Sequence, residues 1–519
     1  MTLMDDSHAT TTPTPPHPTS PLRRWWKRVA KRVLLALAGL LTLLIVVFFL
    51  LPIWISNEQG RAYVLQQLNK DLPGTVDIHR WSLSWWRGME LDGLTITLAD
   101  GRKLLQCPHV QTDLTLGSLL WGNYDLGNAR IPSAHISIVK YADGSTDVSR
   151  LFPLTAAGGR KNPLRSLRGA IQFTAVDLTL RSERSHSAIT FSDLNAEINI
   201  ASPVAPFNVH LRAVSGGPAG RPITCDAILP AISEWPVAMW RILPGLDLSA
   251  SGIPTAAAAD WLGLDEGWDE AIGPQIEEVR FANRGTLTRA PGWIPSLLLK
   301  GSGGKTYIDA KLLLTATQVM HQLSLPREIH LNPSDPTDAS AVRDFHFEAA
   351  LLVSPPVRTA LARIDPLFSA LERGDGPVVF RLSTLDLKDS PWRGQGAGRV
   401  EFPPVLLACR GVLQDVLAAG GPSSQHATTS KNVPLRALIP PMRVLLSDQV
   451  FYVDNLEIAL QNGGRERLSA VGEVALDGRM RVDVTVVRPR GSSPNSPLGN
   501  TVVQVPVTGT LGNPIVTGP

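Results

Sequence analysis

The apolar positions of this chain follow two different rules. From Val33 to Ile55 (VLLALAGLLTLLIVVFFLLPIWI) no side chain is charged. A helix over that run, at about 1.5 Å per residue, reaches roughly 34 Å and spans a hydrocarbon core of about 30 Å. The run is apolar on all faces and bulky to its end, Leu51-Pro52-Ile53-Trp54-Ile55. That fits an uncleaved anchor rather than a signal peptide, whose apolar core of about 7 to 15 residues closes on small side chains. Leu34, Leu44, Val47 and Phe49 stand for its membrane-anchoring side chains. The next stretch, Asn57 to Leu72, carries Val64, Leu65 and Leu68 at helical spacing and ends at Pro73-Gly74, which predicts a short amphipathic helix at the membrane face.

After Thr75 the period becomes two. Trp81-Ser82-Leu83-Ser84-Trp85 alternates, as does Leu94-Thr95-Ile96-Thr97-Leu98 before an Asp100-Gly101 hairpin turn. His135 to Val139 is another strand, followed by Asp143-Gly144. Ile171-Gln172-Phe173 leads through a bulge into Val176 to Leu180, and Leu194 to Ile200 and Phe207 to Leu211 alternate in turn. Short serial strands joined by turns predict an antiparallel sheet with one apolar face. Helical islands are predicted at Pro254 to Leu264, at Pro356 to Arg373 with a break at Pro366, and at Gly411 to Ala419. Gly421 to Ser430 and Arg490 to Asn500 are polar loops. Sheet resumes at Gln449, Asp477-Gly478 turns between Ala470–Val474 and Arg481–Val487, and Val502 to Val507 is the last strand.

The expected organisation is a disordered basic cytoplasmic tail over residues 1–32 and a transmembrane helix over 33–55. An N-terminal module (57–150), a β-rich middle with helical insertions (166–420) and a C-terminal β module (432–519) complete it. The fold class is mainly β: one transmembrane helix, then an elongated, curled antiparallel sheet with a few short helices.

Charge fixes the expected orientation. Arg23, Arg24, Lys27, Arg28, Lys31 and Arg32 precede the apolar run, and the far flank has only Glu58, Arg61 and sparse cations. The positive-inside rule then keeps the N-terminus cytoplasmic and exports the C-terminal bulk. Trp25 and Trp26 suit the cytoplasmic interface, and Trp54 the outer one. Charged residues are only 18% of the chain, and no basic stripe is interleaved with stacking aromatics, so a nucleic-acid partner is not expected. Cys107, Cys225 and Cys409 are isolated and spell neither a zinc site nor a disulfide framework. They read best as small buried apolar side chains, though one bridge between distant members stays open.

Candidate chemistry is sparse. Gly301-Ser302-Gly303-Gly304-Lys305-Thr306 looks partly like a phosphate-binding loop, but Leu299 stands where the motif needs glycine, and Thr306 to Leu314 reads as a strand instead of a helix. Asp344, His346 and Glu348 would share one strand face, where a solvated polar surface is the simpler reading than a metal site. Asp92 and Asp100 are explained by turns. There is no HExxH and no GxSxG, so no catalytic, cofactor-binding or metal residue is assigned and an enzyme is not expected.

The stretch after the anchor has a recognisable order: a short helix, Gly74-Thr75-Val76-Asp77-Ile78, Trp81 to Trp85, Leu91-Asp92-Gly93-Leu94, a hairpin, Leu114, Leu119-Leu120-Trp121, Ile131-Pro132 and Asp143-Gly144. It resembles the N-terminal module of AsmA-like proteins, the inner-membrane-anchored envelope group that includes TamB- and YhdP-type relatives. Gly472 to Gly478 and the closing Gly509-Thr510-Leu511-Gly512-Asn513-Pro514 resemble that family's C-terminal strand ending. The resemblance covers about residues 30–145 and 440–516, and the middle matches only in texture. It implies a single-pass inner-membrane protein with a periplasmic bulk, related to bridge-like lipid transfer proteins. Such a protein would hold phospholipid or another acyl-chain lipid in a taco-like, open-barrel groove and support outer-membrane maintenance. Covered lipid tails gain about 0.8 kcal/mol per CH₂ removed from water. Groove candidates are Leu83, Leu94, Ile96, Leu98, Ile136, Ile138, Phe173 and Phe191. Periodicity leaves open whether these faces line a groove or close on each other as a filled core. The alternative function is a scaffold or assembly factor that pairs with an envelope partner, such as an outer-membrane protein, through exposed strand edges.

Overall fold

The computed structural model of the chain describes residues 21–70, 72–121, 125–151, 167–215, 220–231, 245–283, 292–293, 295–311, 313–315, 328–330, 346–388, 393–420, 434–461, 466–489 and 500–518. Helix α1 (Pro21–Ser56) contains the whole apolar run. It also takes in the basic cluster, which corrects the reading of residues 21–32 as disordered tail. Pro21 is pre-set for a first helical position, and Leu, Arg, Lys and Ala continue the helix well. Helix α2 (Glu58–Asn69) follows after the single residue Asn57, whose side chain accepts the Glu58 amide at 2.7 Å. Gly60 permits the sharp corner: a Cβ there would overlap the Trp54 carbonyl oxygen and lie 2.8 Å from the Ile55 Cα.

Among the described residues, all strands belong to one large sheet. It begins β1 (Gly74–Leu83), β2 (Met89–Leu98), β3 (Lys103–Thr112), each antiparallel to the last. After α3 (Leu116–Leu120), strands β4 (Asp125–Pro132) and β5 (His135–Lys140) lie end to end as one row beside β3. Helix α4 (Asp147–Leu151) follows. Next come β6 (Arg168–Ser182), β7 (Ala188–Ile200), β8 (Phe207–Ser215), β9 (Arg221–Leu229) and β10 (Leu246–Ala250). The row made by β4 and β5 runs parallel to β6, so the sheet is mixed and not purely antiparallel as expected. A parallel neighbour needs a long crossover, and the chain from Tyr141 to Leu167 supplies the length.

Beyond β10 the rows continue antiparallel through Gln275–Asn283, Pro295–Gly301, Tyr307–Lys311, His346–Leu351, Val378–Lys388 and Arg393–Glu401. Met442–Ser447, Val450–Leu460, Arg467–Ala475, Arg479–Pro489, Asn500–Thr510 and Asn513–Val516 close the sheet. Sheet structure therefore resumes at Leu435–Leu438 and Met442–Ser447, ahead of the expected Gln449. The helical islands fall near where the sequence puts them: Thr255–Trp261, Pro355–Ala362 broken before a 3₁₀ turn at Pro366–Ala370, and Gly411–Ala419, although the second gives way to a strand at Leu371–Gly374, short of the expected Arg373. The two polar loops, at 421–430 and 490–499, lie outside the described residues, as do residues 1–20.

Strand β1 would be an exposed sheet edge, but the two helices cover it. The Asn69 side chain mimics a strand partner, accepting from the Val76 amide at 2.8 Å and donating to the Val76 carbonyl at 3.0 Å. Arg61 donates to the His79 carbonyl, and the Leu83 amide reaches the Ser56 hydroxyl at 3.1 Å.

Two buried cores sit on the apolar face. The N-terminal one joins Ile78, Leu91, Cys107, Val110, Ala134, Val176, Leu194, Ala213, Ile223 and Ala250. The larger C-terminal one runs from Ala271 to Val507 and includes side chains from the helical islands, among them Val357, Leu361, Phe368, Leu413 and Val416. There the inward faces of the strands are filled by the chain's own helices.

Candidate functional site

The N-terminal part of the sheet is creased. In an ideal strand every second residue faces inward. In six neighbouring rows the inward residues step by three instead: Ile78 to Trp81, Leu91 to Leu94, Cys107 to Val110, Ile131 to Ala134, Phe173 to Val176 and Phe191 to Leu194. Positive φ angles at Gly93 (68°), Ser133 (53°), Ala175 (52°) and Asp193 (50°) mark the extra residues. Between β6 and β7 the change of phase coincides with register shifts at Phe173/Val176 and Val176/Leu178, the irregularity that bends a strand and raises its local twist.

Two rows of directly opposed residues flank the crease, and opposed residues share a face. On one side run Val76, Ile96, Leu105, Ile136, Leu178 and Phe191. On the other, Trp81, Leu91 and Val110 form one short series, and a second starts at Ile131 and passes through Phe173, Ala196, Leu211, Cys225 and Leu248. It continues through Phe281, Leu297, Ala310, Phe347 and Leu382. Gly398, Val444, Val453, Gly472, Val482, Val507 and Val516 complete it. Every member is hydrophobic or glycine. At about 4.8 Å per strand the row measures roughly 80 Å across the strands.

Exposure changes along this row. Ile131, Phe173, Leu211, Leu248, Phe281 and Leu297 are half-buried, whereas Val444, Val453, Val482 and Val507 are buried beneath the C-terminal helices. Of the groove candidates, Leu94, Ile96, Leu98, Ile136, Ile138, Phe173 and Phe191 are half-buried and Leu83 is buried. Ile96, Ile136 and Phe191 fall in one row, Phe173 in the other, and Leu83 sits at the end of β1 opposite Met89. Leu44, Val47 and Phe49 are exposed along α1, and Leu34 lies on the same helix.

Helix α1, long and apolar enough over Gly39–Ser56 to cross a membrane, is fastened to this face. Trp81, read correctly as a strand residue, donates its indole N–H to the Ile55 carbonyl at 2.9 Å. Trp85, expected in the same strand, lies beyond its end at Leu83, in the turn to β2. Its indole donates to the Phe48 carbonyl at 2.8 Å, and its ring stacks on Phe48 with centroids 3.9 Å apart. The sequence signal for this junction was Pro52, which has no N–H to offer the carbonyl four residues back, that of Phe48.

The opposite face is polar and solvated. Asp92 is a strand residue paired with His109 at 2.7 Å, not a turn residue as expected. His135–Asp177, His210–Asp226 and His346–Asp309 pair across strands in the same manner, at 3.1, 2.7 and 3.0 Å. Glu348 accepts from Tyr307 and Arg381, which hold its carboxyl below the usual carboxylate range. Asp344 lies outside the described residues. Among the described residues no group of His, Cys, Asp and Glu could hold a metal ion. Gly301 to Thr306 forms a tight turn between two strands, with φ of 76° at Gly303 and 66° at Gly304. The three cysteines are unbridged. Burial pushes the Cys107 and Cys225 thiols up, and Asp226 and Asp247 push Cys225 further, which disfavours the reactive thiolate. The chain matches no family model, no curated protein and no solved structure.

Proposed function

We propose that this is a membrane-anchored, non-enzymatic envelope protein that holds the acyl chains of phospholipid or a similar lipid against the apolar face of its creased N-terminal sheet. The observation that carries the reading is the uninterrupted apolar row from Ile131 to Val516, only half-buried over its first part. A soluble sheet of this size ordinarily covers such a face or breaks it with polar side chains. The N-terminus is cytoplasmic and the sheet periplasmic, on the charge asymmetry around α1. The resemblance to AsmA-like proteins points the same way.

The C-terminal core modifies the simple picture of an open conduit. Helices fill the inward face there, so lipid occupies the N-terminal half, and onward passage requires those helices to move or a partner to continue the path. The test is photocrosslinking from Ile96 or Phe191 in cells, with lipid extraction of the purified chain. Adducts to lipid support the reading; adducts to protein alone at both sites overturn it.

A second reading keeps one observation in its favour. Among the described residues, the final strand Asn513–Val516 pairs only with Val507–Thr510, leaving Asn500–Val505 as sheet edge on that side. Strand addition by an envelope partner at that edge would make the protein a scaffold. Co-purification of such a partner without lipid would favour it.

A further inference from the structure

We infer that the turn Ser84–Gly88 is a second membrane-embedded element, seated in the outer leaflet beside the anchor, and that it sets the depth and tilt of the sheet at the bilayer. The inference rests on the reading of α1 as a membrane span.

Position comes first. Phe48 lies two turns below the end of α1, roughly 12 Å along the axis. It belongs to the apolar window Gly39–Ser56, none of which is buried by the rest of the chain. Trp85 is held against Phe48 by both a hydrogen bond and a ring stack, and Trp86 lies within 6.5 Å of the Phe48 and Phe49 rings. Whatever medium surrounds Phe48 therefore surrounds this turn.

Part of the turn's backbone is already satisfied from within. In hydrocarbon every backbone donor and acceptor needs an internal partner. The Ser84 amide donates to the Gly88 carbonyl at 3.2 Å, and the Ser84 hydroxyl accepts from the amides of Trp86 and Arg87 at 3.3 and 3.2 Å. The Ser84 carbonyl accepts the Leu116 amide at 3.0 Å, tying the start of α3 to the turn. The Phe48 carbonyl, unserved by Pro52, is satisfied by Trp85.

What remains outward suits a lipid interface. Trp86 is 71% exposed and Trp121, at the end of α3, is 89% exposed. Tryptophan favours the boundary between acyl chains and headgroups, and Arg87, exposed beside it, can extend its guanidinium to lipid phosphate. Large exposed indoles facing water would otherwise go uncompensated.

The experiment uses the full chain with its native cysteines replaced by alanine, reconstituted in phosphatidylcholine–phosphatidylglycerol vesicles. A nitroxide is placed in turn at Trp86→Cys, Trp121→Cys, Phe49→Cys and Val471→Cys, the last exposed and far along the sheet on strand Arg467–Ala475. Collision with molecular oxygen is compared with collision with a water-soluble nickel chelate. The expected result is an oxygen-dominated signal at 86 and 49, a signal at 121 between these and the water-like value, and a chelate-dominated signal at 471. A chelate-dominated signal at 86 with an oxygen-dominated one at 49 overturns the inference and leaves the anchor standing. Chelate dominance at both overturns the anchor as well. Should the cysteine-free chain fail to fold, a diazirine amino acid at 86 in the native chain reads the same distinction, lipid adducts supporting immersion and their absence, beside adducts from 49, refuting it.

Discussion

Trp85 gives its indole N–H to the Phe48 carbonyl at 2.8 Å, and Phe48 is the residue whose helical donor is replaced by the imide nitrogen of Pro52. One proline thus creates the acceptor by which α1 holds the sheet. Trp85→Phe keeps the ring stack and removes the donor, leaving a carbonyl unpaired. The expected cost at this junction is about 1–3 kcal/mol. Hydrogen exchange of the Trp86 and Arg87 amides in a nanodisc reads it, with exchange faster by about tenfold per 1.4 kcal/mol.

Leu211 and Val482 belong to the same apolar row but differ in setting: Leu211 is half-buried and Val482 is 1% exposed. Leu211→Asp should lower the lipid recovered with the purified chain while leaving circular dichroism and thermal unfolding near the parent values. Val482→Asp places a carboxylate in the filled core and should unfold the C-terminal part. Equal lipid recovery from the Leu211 variant and the parent chain would sink the lipid-face reading.

Asp365 is buried, with one carboxylate oxygen accepting the Leu367 amide at 2.9 Å and the other without a hydrogen-bond partner. Burial pushes its pKa up to about 7, against which the Leu367 amide works only partly. The folded form therefore keeps the proton between about pH 4 and 7 while the unfolded chain has lost it. Stability falls as pH rises through that window and levels off above it, by at most about 4 kcal/mol. Asp365→Asn should raise the unfolding midpoint at pH 8 and change little at pH 4. An equal shift at both pH values would refute the assignment.

Arg488 pairs with Glu466 at 3.0 Å in the C-terminal core and also donates to the carbonyls of Leu417 and Gly420 at the end of the Gly411–Ala419 helix. Arg488→Met removes this ion pair and both carbonyl contacts from the buried core and should cost about 3–5 kcal/mol. Adding Glu466→Leu should recover much of that loss. A denaturant-unfolding cycle of the two variants measures the coupling, and additive losses would show the pair to be uncoupled.

Much of the local structure was legible because it depends on local rules. Asn57 and Pro73-Gly74 bracket α2, Pro366 breaks its helix, and Asp100-Gly101 and Asp477-Gly478 turn their hairpins. The bulge between Phe173 and Val176 was also readable, from two alternating runs that do not share a phase. Misreadings arose where a distant partner decided. Trp85 continued the β1 alternation but was drawn off the strand by Phe48. Asp92 sat beside a glycine that suggested a turn, and His109 across the strand explains it instead.

By itself the sequence determined a long apolar helix followed by β strands with one apolar face, because hydrophobic period is a property of neighbours in the chain. Only the tertiary structure decided that the change of phase falls side by side in six rows, that β4 and β5 run parallel to β6, and that the apolar residues of successive strands meet in a single row. Register and strand partnership are set by contacts between residues far apart in sequence, and a slip of one residue would turn any strand's apolar set to the other face. The same holds for the filled C-terminal core. Its helices were legible as helices, but their packing onto the sheet depends on which strands the fold brings beneath them.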